Sequence, residues 1–256
     1  MQKIKPENYS DYIRYIEPVA CGKVYPLSIA QSIQAGDIYV SSSKENRSVL
    51  YWHYCGFAFM FGECDERFLE EVYDFMSGKS NCSKRLILFV DNESTEQFFR
   101  AKNNVVIEKR YFFEYRDNFP VTSKTLPSGF ELCEINEELL KKINGKITPS
   151  FSWDNGESFL QKGKGYCITD GDNVAAWAFS AAVSNDEIDI GIETNIRYRN
   201  HGFAYIASQK MTEYSLNQHK TPVWACHSAN AASYNLAVKL GFTKTAECCT
   251  VRIENG

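Results

Sequence analysis

No C-x-x-C pair occurs in the chain, and its 9 cysteines (Cys21, Cys55, Cys64, Cys82, Cys133, Cys167, Cys226, Cys248 and Cys249) are odd in number and scattered. That pattern argues against a disulfide framework and against a zinc site, so reduced, mostly buried thiols are expected. There is no run of about 18 apolar residues, the length a spanning helix needs, and the opening MQKIKPENYSDYIRYIEP lacks the apolar core of a signal peptide. A cytoplasmic location with no membrane partner follows as the expectation. Basic blocks are also missing and the net charge is −4, which disfavours nucleic acid as a partner. Neither a Walker loop nor a Rossmann G-x-G-x-x-G fingerprint is present.

What is present is the composition of a folded protein, with 44% hydrophobic, 23% charged and 14% aromatic residues over 256 positions. This length accommodates two ordinary domains or one large one. The clearest break is RDNFPVTSKTLPSG, where two prolines and several Ser, Thr and Asn residues interrupt aromatic-rich strands. The expected division is a domain over 1–118, a linker over 119–129 and a second domain over 130–256.

In the first half, GDIYVSS and the longer SVLYWHYCGFAFMFG each read as a strand, β-branched and aromatic between turn residues. CDERFLEEVYDFM has helical apolar spacing, and RLILFV, NESTEQFFRAKN and VVIEKRYFFEY read as strand, helix and strand. In the second half the order is a strand FELCEI, helical pieces NEELLKKI and GESFLQK, and three strands GYCIT, NVAAWAFSAAV and EIDIGIET. A helix from about Gly202 to Asn217 follows, with Phe203, Ile206/Ala207, Met211 and Tyr214 on one face and Pro222 stopping it. Then come a strand VWACH, a helix NAASYNLAVKLG capped by Gly241, and a last strand FTKTAECCTVRIE. The class is α/β with a mixed sheet. The strand–helix–strand end of the first half faintly repeats the end of the second.

Chemistry-bearing residues concentrate after EIDIGIET. In YRNHGFAYIA, Arg199, Gly202 and Ala204 stand at a loop-to-helix junction. There the free N–H groups of a first helical turn and the positive end of the helix dipole favour an anion, and Gly202 lets the backbone approach it. A plain turn at Gly202 is the alternative. Glu187, Asp189 and Glu193 alternate along the strand and so share one face. Cys226 and His227, adjacent on a strand, point to opposite faces and cannot serve as nucleophile and base. DGDN at Asp170 to Asn173 lacks the rest of a calcium loop and reads as a hairpin turn. His53 beside Trp52 reads as packing.

Two blocks carry a resemblance. Arg199-Asn200-His201-Gly202-Phe203-Ala204 resembles the pyrophosphate loop, Arg/Gln-x-x-Gly-x-Gly/Ala, of the GCN5-related N-acetyltransferases (GNAT). WACHSANAASYNLAVKLGF resembles the next block of that superfamily, with Asn230, Ser233, Leu236, Lys239, Gly241 and Phe242 at its spacings. DIGIET followed by YRNHGFA is similar to the subgroup that includes the zwittermicin A resistance acetyltransferase. The resemblance implies a GNAT acyl-CoA acyltransferase fold in the C-terminal half, splayed between its fourth and fifth strands, after a smaller, degenerate GNAT-like α/β half in which no coenzyme is expected. It implies acetyl-CoA as co-substrate and transfer of an acetyl group to a small-molecule amine.

On that analogy the coenzyme contacts are Arg199, Asn200, His201, Gly202, Phe203, Ala204, the backbone of Ile192 and Thr194, and Asn230, for which a helix-cap role is the alternative. The amine must lose its proton, so a carboxylate is needed, and Glu193 is the candidate base. Many members carry a tyrosine seven residues after the Asn as the acid for the departing thiolate; Ala237 stands there in this chain, and Tyr234 is the nearest substitute. That departure motivates a second reading, an acetyl-CoA-binding or sensing protein with weak or no turnover. An interaction scaffold that binds no coenzyme is a third. The acidic balance mildly favours a cationic acceptor. Oligomeric state stays open, a homodimer included.

Overall fold

Strands form where β-branched and aromatic residues alternate, and helices where apolar residues recur every three or four positions. The computed structural model describes residues 1–16, 21–43, 48–78, 85–116 and 125–254; Cys82 and the 119–124 part of the expected linker lie outside them. Contacts divide the chain into two compact units, Met1–Phe112 with Ala246–Gly256, and Phe113–Thr245.

The first unit opens with β1 (Gln2–Lys3) and a 3-10 stretch, Pro6–Tyr15, followed by α1 (Val24–Ala30). Then come β2 (Gly36–Val40), β3 (Val49–His53), β4 (Phe57–Phe61), α2 (Glu66–Met76), β5 (Ile87–Val90), α3 (Glu93–Arg100) and β6 (Val105–Tyr115). β1 to β4 pair antiparallel in order and β5 adds parallel to β4. α2 has the helical apolar face expected of it: Phe68, Leu69, Val72 and Phe75 are buried, and Asp65 caps the first turn by accepting from the Phe68 N–H at 2.9 Å.

Two readings of this half change. The single strand expected over SVLYWHYCGFAFMFG is two, β3 and β4, because the chain turns at 53–56, where the Gly56 N–H donates to the His53 carbonyl at 2.8 Å. α1 has no sequence counterpart above: all 7 of its residues are buried, so its apolar pattern has no period, and Pro26 sits early enough in the helix to be tolerated.

The second unit contains β7 (Glu131–Glu134), α4 (Glu137–Lys142), α5 (Pro149–Ser152), α6 (Gly156–Lys162), β8 (Gly165–Asp170), β9 (Asn173–Val183) and β10 (Glu187–Thr194). A 3-10 turn, Ile196–Tyr198, then leads to α7 (Phe203–Asn217), β11 (Thr221–His227), α8 (Ala231–Lys239) and β12 (Phe242–Ile253). β7 to β10 form an antiparallel meander, and the Asp170–Asn173 segment is the hairpin turn between β8 and β9. α7 buries Phe203, Tyr205, Ala207, Met211 and three hydroxyl residues, so Ile206 and Tyr214 of the expected face are not in the core. Pro222 lies inside β11, after the helix has ended at Asn217.

β12 is where the linear division fails to describe the chain. Its second half belongs to the first unit, pairing antiparallel with β5 through Cys249↔Val90, Thr250↔Phe89 and Val251↔Leu88, whereas the sequence reading kept all of 130–256 together. The order β2-β3-β4-α2-β5-α3-β6 is repeated as β8-β9-β10-α7-β11-α8-β12, with the parallel step after the third strand in both. The faint repeat in the sequence is thus a repeat of element order, with the last strand set apart because β12, not β6, pairs with β5. Among the described residues no helix is long and apolar enough to cross a membrane.

Candidate active site

β10 and β11 pair in parallel only over Glu187↔Thr221, Ile188↔Pro222 and Asp189↔Val223. A register irregularity between Asp189 and Ile190 follows at once on the β9 side. Beyond it β10 runs on to Thr194 on β9 alone, so the strands splay and the β10 backbone faces a gap. A cleft of about 660 Å³ opens there, with Ile192, Glu193 and Thr194 on one wall and Asn230, Leu236 and Lys239 on another.

The start of α7 closes one end of the cleft. Gly202 is its cap residue, in the left-handed region at φ 79°, and Asn200 two residues earlier is left-handed at φ 67°. With a glycine cap no side chain accepts from the first turn. The N–H groups of Phe203 and Ala204, both cleft residues, therefore remain available to an external acceptor. Arg199 and Lys239 also line the cleft, and neither has a carboxylate partner among the described residues. Uncapped amides, a helix dipole and two cations together suit a diphosphate.

The model of the GNAT acetyltransferase family matches residues 25–249. The chain belongs to that family. A curated relative, the uncharacterized N-acetyltransferase YdfB of Bacillus subtilis (strain 168), is 23% identical over 255 residues, covering 96% of each chain. Among solved structures, a GCN5-related N-acetyltransferase-like protein from Streptococcus suis 89/1591 superposes with TM-score 0.75 at 20% identity, over 98% of this chain and all (100%) of that one. A tandem GNAT protein from the clavulanic acid biosynthesis pathway gives 0.64 at 11% identity, over 100% and 98%. At these identities the two structures show the shared fold.

Within this GNAT unit most of the expected coenzyme contacts converge. Ile192, Thr194, Arg199, Asn200, Gly202, Phe203, Ala204 and Asn230 all border the cleft. His201 does not. Its Nδ1 lies 2.8 Å from the Arg199 carbonyl and its ring stacks on Phe203 at 5.4 Å, so it braces the loop from outside. Asn230 realises its cap alternative: its Oδ1 accepts from the Ser233 N–H at 3.1 Å, which leaves the amide NH₂ at the cleft.

Sequence reasoning missed other cleft residues. Ala232, Leu236 and Lys239 recur at helical spacing on one face of α8, a signal available in the quoted block. Tyr198 also borders the cleft, and its hydroxyl donates to Asp170 Oδ2. That bond, with a further one from Asn173, holds the Asp170 carboxyl below its usual range, and the carboxylate in turn raises the Tyr198 hydroxyl.

The two expected catalytic residues are placed differently. Tyr234 packs edge-on against Phe113, ring centroids 5.3 Å apart, and is not among the residues bordering the cleft. Ala237, at the family's tyrosine position, is fully buried. Glu193 borders the cleft, and its Oε2 accepts from the backbone N–H groups of both Lys146 and Ile147 at 2.7 Å. Glu187 and Asp189, expected on the same strand face, are buried. Leu140, Ile143, Thr148, Ser150, Asn155 and Phe159 line much of a second cavity, of about 170 Å³, with no charged side chain on its walls.

Proposed function

We propose that this GNAT protein transfers the acetyl group of acetyl-CoA to the amine of a small molecule. The observation that carries the reading is the splay of β10 from β11 beside an uncapped helix N-terminus, in a cleft that Arg199 and Lys239 also line. Phe203 and Ala204 N–H groups and the two cations would hold the pyrophosphate, and the Asn230 amide would donate to a carbonyl of the pantetheine arm. Backbone N–H groups at the free edge of β10, around Ile192 and Thr194, would polarise the thioester carbonyl as charge develops on its oxygen.

Bound acetyl-CoA supplies an activated acyl group with a thiolate leaving group. The amine nitrogen forms the new bond to the carbonyl carbon and the C–S bond breaks. The amine proton passes to Glu193, directly or through water, by its Oε1, since Oε2 is held by the two amides. The thiolate departs and takes its proton from solvent, for neither Ala237 nor Tyr234 offers one at the cleft. The second cavity, walled by 143 and 148 of the loop that reaches Glu193 and by 149 and 150 at the start of α5, would take the group attached to the amine. Its size and lack of charge favour a small acceptor with an uncharged body. The resemblance of DIGIET followed by YRNHGFA to the subgroup that includes the zwittermicin A resistance acetyltransferase fits a small-molecule acceptor.

Calorimetric titration with acetyl-CoA is the test. Binding, together with thiol release on addition of primary amines, is the expected result; no binding by folded protein refutes the reading. Tight binding without thiol release for any amine supports instead a coenzyme-binding protein without turnover, the reading favoured by the buried Ala237 and by Tyr234 lying against Phe113.

A further inference from the structure

We propose that Glu193 has a second role, as a positioning residue: its Oε2 latches the loop between α4 and α5 onto the end of β10 and so holds one wall of the second cavity. The loop, 143–148, has no regular structure of its own. Three bonds fasten its middle. Lys146 and Ile147 donate their N–H groups to Glu193 Oε2 at 2.7 Å each, and Trp177 Nε1 donates to the Ile147 carbonyl at 2.7 Å. Trp177 is the direct cross-strand partner of Glu193 on β9, so both anchors stand side by side on the sheet.

Gly145 permits the close approach. A Cβ built on it would overlap Glu193 Oε2 and lie 2.7 Å from Trp177 Cζ2. Either side of the fastened segment, Ile143 and Thr148 to Ser150 line the 170 Å³ cavity. The carboxylate at the cleft and the acceptor wall are thereby one mechanical unit. The latch itself is a statement about hydrogen bonds; its consequence for acceptor binding rests on the proposed transferase activity.

Three variants separate the roles. Glu193→Gln keeps a carbonyl oxygen that can accept both amides but cannot take a proton. Glu193→Ala removes latch and base together, and Gly145→Val forces the loop and the carboxylate apart while keeping the acid group in the chain. Hydrogen exchange of the Lys146 and Ile147 amides, measured on the whole chain without any amine, reads the latch directly. Exchange should quicken by about tenfold or more in Glu193→Ala and in Gly145→Val, and stay near the parent rate in Glu193→Gln. Unchanged exchange in Glu193→Ala overturns the latch, and so does exchange in Glu193→Gln as fast as in Glu193→Ala. Calorimetry with acetyl-CoA on the same samples keeps the two ideas apart: a parent protein that shows the latch but binds no coenzyme refutes the transferase reading and leaves the latch standing.

Discussion

Replacing Gly202 by alanine should damage coenzyme binding far more than it damages folding, and a second glycine supplies the comparison. Gly202 and Gly78 both sit in the left-handed region, at φ 79° and 74°. An L-residue held there costs roughly 1–2 kcal/mol, so both variants should lose about that much unfolding free energy in urea titrations. At Gly78 the added Cβ meets nothing within 4 Å, and the residue lies in the first unit, outside the cleft. Gly202 itself borders the cleft, next in sequence to the open Phe203 and Ala204 N–H groups, so an added methyl crowds the approach to them. A hydrogen bond to a charged oxygen is worth about 1.5–3 kcal/mol, so losing one phosphate contact weakens acetyl-CoA binding by about 10- to 100-fold. Calorimetry should therefore give a near-parent Kd for Gly78→Ala and a strongly raised one for Gly202→Ala. Equal Kd values in the two variants would refute the placement of the diphosphate at this loop.

Tyr234→Phe keeps the ring that packs on Phe113 and should leave the rate of acetyl transfer within about threefold; a fall of 100-fold, the scale of a lost general acid, would return the tyrosine to the mechanism. Asn230→Ser retains an oxygen for the α8 cap but removes the amide NH₂, so stability should hold while the Kd for acetyl-CoA rises about tenfold; an unchanged Kd would reduce Asn230 to a cap. His53 gives a pH prediction. Burial pushes its pKa down to about 3, its Nδ1 accepts from the Cys55 N–H at 3.2 Å, and Nε2 is buried without a partner. In the unfolded chain it protonates near 6.5, so below that pH the unfolded state holds the extra proton and stability falls towards pH 3 by up to about 1.4 kcal/mol per unit. His53→Gln should flatten that slope in urea titrations between pH 7 and 5, and an unaltered slope would show that His53 is not its source.

Features set by contiguous sequence were legible. The Arg199 to Ala204 loop could be read because a helix N-terminus is a local object: its glycine, its arginine and its dipole all lie within one turn of the same segment. The Asn230 cap of α8 could be read for the same reason. His201 was the exception inside that segment, since which side of the loop a ring occupies depends on what it stacks against, in this case Phe203. Tyr234 lies off the cleft because its helix packs it against Phe113, on a strand more than a hundred residues earlier.

By itself, then, the sequence determined most of the element types, the mixed α/β class and the glycine turn at the start of α7, because hydrophobic period, turn chemistry and helix ends are set by neighbours within a few positions. Only the tertiary structure decided how far β10 stays paired with β11, where β12 passes from one unit to the other, and what Glu193 touches. Its carboxylate meets amides 47 and 46 residues away in the chain, and the gap beside it exists because two strands stop pairing after Asp189. Contacts of that range arise from how strands and loops pack together, and no local pattern in the residues records them.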